Sequence, residues 1–315
     1  MPVFFISAQE SGKTLLEVIE RRLNLPRAAA VRLARERRVR LDKYVCSDLR
    51  QKVRGGQRLQ IRETQSKRNR ETNAKIRYVD PHVVVVDKPA GLTTMRHAQE
   101  AAEFGRRARR FLPVTLADLL PPLLARGKSK SDSVRAVHRL DKDTSGLVVF
   151  ARDVQAERNL GKQFRAHTID RRYLAIVRGQ ARSERIESML VDDRGDGRRG
   201  STITPGLGKR AVTHVKVVET IGGYSLVECR LETGRTHQVR VHLGERGTPI
   251  CGERIYDRPI HGKPIPDDSG APRLALHAAH LGFDHPTTGK RMTWDSPLPK
   301  DLHRLLKRLR RRANA

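Results

Sequence analysis

His138-Arg139-Leu140-Asp141-Lys142-Asp143-Thr144-Ser145-Gly146 runs without a break into Leu147-Val148-Val149-Phe150-Ala151. The second half is a short apolar run, which reads as a buried strand. The first half is a charged loop that ends in a Thr-Ser-Gly turn. Within it, Asp141 lies between Arg139 and Lys142. Nearby positive charge favours the ionised form of a carboxylate. The plain reading is a solvated loop with a weak surface ion pair. The rest of the chain weighs against it.

The 315 residues suffice for one large and one small domain. Lys and Arg number 64 against 35 Asp and Glu, a net charge of +29, which points to a polyanionic partner. A membrane is a poor fit. No apolar run has the length of a span, and no basic amphipathic helix displays Trp or Phe. The first twenty residues hold Glu10, Glu17 and Glu20 but no Arg, so neither a mitochondrial presequence nor a secretory signal is expected. Cys46, Cys229 and Cys251 are odd in number and far apart, and the twelve histidines show no ligand spacing. A reduced, metal-free, cytoplasmic protein is expected.

Upstream, Leu15, Leu16, Ile19 and Leu23 have helical spacing, and Asn24-Leu25-Pro26 ends that helix. A second helix is expected from Arg27 to about Arg37, with Ala29, Ala30, Leu33 and Ala34 inward. Its other face carries Arg27, Arg32, Arg35 and Arg38. Short strands follow at 39–41, 52–53 and 58–61. A cationic face of this kind gains affinity by releasing counterions from phosphates, so Arg32 and Arg35 are candidate RNA contacts. Residues 1–62 are read as a small α+β RNA-binding domain and the polar segment 63–77 as a linker.

Residues 78–299 are read as the large domain. Val83 to Val86 is a buried strand, residues 95–113 a basic, mobile loop, and Leu116 to Leu124 a short helix interrupted by Pro121-Pro122. Asp153 is a plausible cap for a helix reaching about Ala166. Val212–Glu219 and Tyr224–Leu231 form a hairpin across Gly222-Gly223. Residues 300–315 are a basic tail with leucines at helical spacing. Strands mostly follow strands, which predicts an α+β fold with a mixed, largely antiparallel central sheet. No phosphate-binding glycine loop is present. Ser11-Gly12-Lys13-Thr14 lacks the upstream glycine and strand of one.

The stretch 138–151 resembles the signature of the RluA family of pseudouridine synthases. Further stretches agree in order: Val85 to Gly91, Tyr173 to Gly179, Leu231 to His242, and Leu276 through Pro286. One departure is Gly252-Glu253-Arg254-Ile255-Tyr256-Asp257, where the family usually has Gly-Asp-x-x-Tyr-Gly. Residues 13–62 resemble the alpha-L RNA-binding motif, although Val39-Arg40-Leu41-Asp42-Lys43 departs from its usual Val-x-Val-Asn-Gly hairpin.

The resemblance implies that uridine within RNA is isomerised to pseudouridine without gain or loss of atoms or electrons, so no cofactor is needed. Large-subunit ribosomal RNA is the implied substrate, with transfer RNA as the alternative. By the same match Asp141 is the catalytic carboxylate, able to add and later depart. Arg235 is the guanidinium that pairs with it, and Tyr173 packs on the flipped base. Whether Asp141 attacks the sugar, adds to the base or assists glycal formation stays open. Arg139 would hold the RNA open. His138 and Thr144 shape the loop, and His237 and Arg240 are weaker RNA-contact candidates. A non-catalytic assembly factor and a glycoside hydrolase are the competing readings. Intact His-Arg-Leu-Asp speaks against the first, and the lack of a second acidic motif against the other. A monomer is expected.

Overall fold

The computed structural model describes residues 3–62, 73–105, 111–125 and 133–314. Two compact units emerge, one comprising residues 1–72 and 95–118, the other residues 73–94 and 119–315.

The first unit packs helices α1 (Leu15–Leu23) and α2 (Arg27–Arg35) with a four-stranded antiparallel sheet. Its strands are β1 (Val3–Phe5), β2 (Val39–Leu41), β3 (Tyr44–Val45) and β4 (Arg58–Ile61), in the order β1-β4-β2-β3. Thr14 caps α1 reciprocally with Glu17, satisfying backbone donors that the first turn leaves open. Leu15, Ile19, Ala30, Leu33, Leu59 and Ile61 are fully buried between helices and sheet. Asp42 adopts φ +56° in the β2–β3 turn, and its carboxylate accepts from the Arg58 amide at 2.8 Å and Gln57 Nε2 at 3.0 Å.

Two expectations need correction here. The 95–113 segment is not simply a basic loop. It contains helix α3 (Ala98–Phe104), and Phe104, Phe111 and Leu112 are buried in the first unit's core. Its mostly polar sequence hid this, because three apolar residues do the anchoring. Residues 106–110, which carry the basic run, lie outside the described residues. Residues 52–53 make only an isolated bridge, Thr14 to Lys52.

The second unit is built on an eleven-stranded sheet. Its strands are β5 (Lys75–Val79), β6 (Val83–Lys88), β7 (Arg135–Ala136), β8 (Ser145–Ala151), β9 (Asp170–Arg178), β10 (Glu184–Val191), β11 (Gly200–Thr202), β12 (Lys209–Ile221), β13 (Tyr224–Leu231), β14 (Leu276–Asp284) and β15 (Arg291–Asp295). The main path runs β11-β10-β12-β13-β9-β14-β8-β6-β5, with β15 on β14 and β7 on β8. Pairing is antiparallel except between β14 and β8. The sheet is therefore mixed and largely antiparallel, as its strand-after-strand sequence implied. Strand β5 begins inside the segment read as linker. It is an edge strand, mostly exposed, with Tyr78 packed against the core. Of that linker, residues 63–72 lie outside the described residues.

Successive residues of β6 and β8 are buried, so both faces of these strands are covered. Each such Val or Phe contributes about 1.5–3 kcal/mol of burial. Helix α4 spans Leu116–Leu124 and continues through both prolines. Helix α5 (Val154–Arg165) lays Ala156 and Leu160 on the core and starts where expected, with Asp153 accepting from the Ala156 amide at 2.7 Å. Helix α6 (Gln238–Glu245) follows the β13 turn. The expected tail is helix α7 (Lys300–Ala313), whose Leu302, Leu305, Leu306 and Leu309 are buried and whose outer face is cationic. Among the described residues no helix is long and apolar enough to cross a membrane.

The turn from the charged loop into β8 depends on Gly146. Its φ is +114°, and a Cβ there would fall 2.2 Å from the Ala278 carbonyl oxygen of the parallel neighbour β14. Backbone cannot retreat as a side-chain tip can. Gly146→Ala should lower stability by roughly 2–4 kcal/mol, read as an earlier urea midpoint with unchanged slope.

Candidate active site

Asp141 is fixed by its neighbours on both sides. The Leu140 amide donates to Thr94 Oγ1 at 3.1 Å, and that hydroxyl returns a bond to the Leu140 carbonyl at 2.7 Å. The Lys142 carbonyl accepts from the Gly91 amide at 2.8 Å and from Lys88 Nζ at 3.1 Å. Lys88 is wholly buried at the end of β6, and its ammonium also reaches the carbonyls of Pro89 and Leu92. Burial pulls its pKa down to about 7, against the opposing pull of Asp141 and Asp143.

The Asp141 side chain is 18% exposed. It opens into a cavity of about 410 Å³ shared with His138, Arg139, Thr144, Tyr173, Arg235, His237 and Arg240. Eight of the ten residues expected from sequence therefore line one hollow. Arg32 and Arg35 belong to the first unit.

The expected partner of Asp141 needs correction. Arg240, not Arg235, approaches the carboxylate, with Nη1 3.4 Å from Oδ2. Arg235 is exposed at the rim and donates Nε to the Arg210 carbonyl at 3.0 Å. The reason lies in the helix start. Gln238 accepts from the Thr233 hydroxyl and the Arg235 amide, and donates to Val212 O and Thr213 Oγ1. That knot leaves Arg235 outside α6, while Arg240, in the helix, faces the Asp141 loop.

Arg240 is itself gripped by Glu253, with Nε to Oε2 at 2.6 Å and Nη2 to Oε1 at 2.9 Å. Its guanidinium lies 5.1 Å over the Tyr256 ring. Burial opposes the charged form, but Glu253 and Asp141 outweigh it and hold the Arg240 pKa above its ordinary value. The Glu253 side chain is only 1% exposed, and Arg240 keeps its carboxyl ionised below the usual range despite that burial. Glu253 and Tyr256 were missed from sequence. The signal was the Gly252–Asp257 stretch, whose acid and Tyr both match the pattern quoted for it and both meet Arg240.

His237 adopts φ +59° just before α6. Its Nδ1 meets the Tyr256 hydroxyl at 2.7 Å, and its Nε2 lies 3.8 Å from Asp141 Oδ1. Burial lowers its pKa, so it is neutral at pH 7. The Tyr256 contact at Nδ1 turns the ring so that Nε2 faces Asp141. His138 is also neutral. Its Nε2 accepts from the Val149 amide at 3.1 Å, and burial together with Arg171 pushes it down to about 3. Thr144 Oγ1 is buried without a partner. Tyr173 is 8% exposed, and burial raises its phenol pKa, so it stays protonated. Among the described residues no cluster of three His, Cys, Asp or Glu could hold a metal ion.

Arg32, expected to meet phosphate, is instead bonded to Glu103 at 2.8 Å and Glu100 at 3.5 Å. Its charge is spent on α3, a helix that the sequence reading did not anticipate. Arg35 is exposed.

The fold and the cavity together define an α+β protein with one held carboxylate in a cation-rimmed cleft. Comparison with known proteins makes this specific. The family model described as RNA pseudouridylate synthase matches residues 82–245. Ribosomal large subunit pseudouridine synthase D of Nitrosomonas europaea is 36% identical over 273 residues, covering 82% of this chain and 74% of that protein. The protein of the same name from Pseudomonas aeruginosa is 37% identical over 244 residues, covering 75% and 72%. Among solved structures, human RNA Pseudouridylate Synthase Domain Containing 4 shares the fold, with a TM-score of 0.59 and 24% identity over 75% of this chain and 92% of that one. The chain belongs to the RNA pseudouridylate synthase family.

The two arginines can be separated by kinetics. Arg240→Ala should cut kcat by about 10²–10⁴-fold, the range for losing a group that acts on the reacting centre. Arg235→Ala should mainly raise KM, by about tenfold or less. Single-turnover and steady-state assays on the same RNA would check both.

Proposed function

We propose that this protein converts uridine to pseudouridine in large-subunit ribosomal RNA, with Asp141 as the group that adds to the nucleoside and departs. The observation that carries the reading is a single clamped carboxylate at a nucleoside-sized cavity, beside the family match. The names of the relatives supply the ribosomal substrate.

The reaction breaks the bond from C1′ to N1, joins C1′ to C5, and moves a proton from C5 to N1. Atoms and electrons balance within the substrate. A carboxylate suits the step because it is both nucleophile and leaving group. Arg240 orients Asp141 through one 3.4 Å contact and is itself neutralised by Glu253. Tyr173 offers an aromatic face to the uracil ring and, being protonated, a donor and not a base. Arg139, exposed at the cavity rim, suits the space that a flipped nucleotide vacates.

The first unit is read as an RNA-binding module. Arg27 and Arg35 lie exposed on α2, and cations of this kind give affinity without sequence choice. A cytoplasmic monomer fits this assignment.

Asp141→Asn should abolish pseudouridine formation, by more than about 10³-fold, while RNA affinity stays nearly unchanged. Pseudouridine mapping of total RNA from cells with and without the gene should lose a site in large-subunit ribosomal RNA. A lost site in transfer RNA alone would move the assignment to that substrate, and no lost site would reject it.

A further inference from the structure

Five arginines line the cavity. Arg240 has Glu253, Arg235 has the Arg210 carbonyl, and Arg139 and Arg165 are exposed to solvent. Arg171 differs. It is 7% exposed and lines the cavity, and its Nε is buried without a hydrogen bond. Among the described residues no carboxylate pairs with it. An arginine stays charged in a protein, and a buried charge without a counter-charge is costly.

Its position is nonetheless defined. The guanidinium lies 5.3 Å over the Phe164 ring. On another side Gly234 makes room for it, since a Cβ there would fall 2.6 Å from Arg171 Nη1. Both contacts position the group and neither neutralises it. Arg171 and Tyr173 are two residues apart on β9, so they share one face, while Arg172 points to the other. The cavity therefore presents an uncompensated fork of donors beside the aromatic ring.

We propose that Arg171 binds a phosphodiester oxygen flanking the target uridine, anchoring the flipped nucleotide while its base lies along Tyr173. This rests on the RNA-uridine reading above. A base carbonyl is neutral and would leave the charge uncompensated. Phosphate is the anion that every RNA nucleotide brings, and its paired oxygens match a guanidinium fork. The sequence offers a reason for Gly234 in the same terms: any side chain there displaces the anchor.

The test pairs protein variants with altered RNA. Wild type and Arg171→Met are assayed on a synthetic RNA carrying the mapped uridine. The RNA has either natural phosphates or a neutral methylphosphonate at one flanking linkage at a time. Arg171→Met should raise KM about 10- to 100-fold with kcat little changed, as for loss of a charged hydrogen bond. One methylphosphonate should do the same to wild type and add nothing in the variant. Gly234→Ala, which crowds only a side-chain tip, should give a smaller KM rise and the same non-additivity, and Arg171→Lys should recover part of the loss. Losses that multiply at both linkages, or a fall in kcat with KM unmoved, would overturn the anchor while leaving the reaction reading intact. Wild-type protein that makes no pseudouridine would overturn both.

Discussion

The loop that carries Asp141 depends on one buried amino group. Lys88 ends β6, and its Nζ reaches the carbonyls of Pro89, Leu92 and Lys142. Lys88 also pairs in register with Gly146, where the charged loop enters β8. The chain leaving one central strand is thereby bonded to the chain entering the next. Thr94 fixes Leu140 by two further bonds. Asp141 lies between these two attachments, so its backbone is set before any side-chain contact is made. Burying an ammonium is costly, and the carbonyl dipoles offset that cost only when all of them point inward. The clamp is therefore complete or useless, which makes it a strong constraint on the loop.

The contacts to the carboxylate itself are looser. Arg240 meets Glu253 at 2.6 and 2.9 Å but Asp141 only at 3.4 Å, and His237 Nε2 is 3.8 Å away. The strong pair serves to hold the arginine, and the weak one to orient the acid. A carboxylate locked in a bidentate pair would have its lone pairs occupied and would be a poor nucleophile. One oriented by a guanidinium already engaged elsewhere keeps an oxygen free for substrate. In the proposed reaction Glu253 would thus act on Asp141 without touching it.

The sequence was most readable where a local rule governs. The run from the charged loop into β8, the Asp153 cap of α5 and the hairpin across Gly222-Gly223 all follow from short-range pattern. It was least readable where partners are distant. Arg235 and Arg240 sit in one short stretch, and only the knot around Gln238 decides which of them faces Asp141. Arg32 looked like a free cation because Glu100 and Glu103 are about seventy positions away. Strand β5 is a short edge strand, mostly exposed, that follows a charged run, while the leucine spacing read in the basic tail is the buried face of α7. Arg171 gave no signal at all, since an unpaired arginine looks like any other until its burial is known.

The net charge of +29 then takes on a narrower meaning. Many cations are tied up internally, including Arg32, Arg172, Arg194, Arg240 and Arg310. Charge of this kind cannot choose among uridines in any case, because every nucleotide carries the same phosphate. In the proposed reaction what can discriminate is the shape of the cavity wall, which Phe164, Tyr173 and the neutral rings of His138 and His237 line. Neutrality of both histidines matters here. A charged imidazole would compete with Arg240 for Asp141 and would add cations to a wall that already holds one without a partner. Burial, by keeping these rings neutral, leaves the carboxylate oriented by a single group.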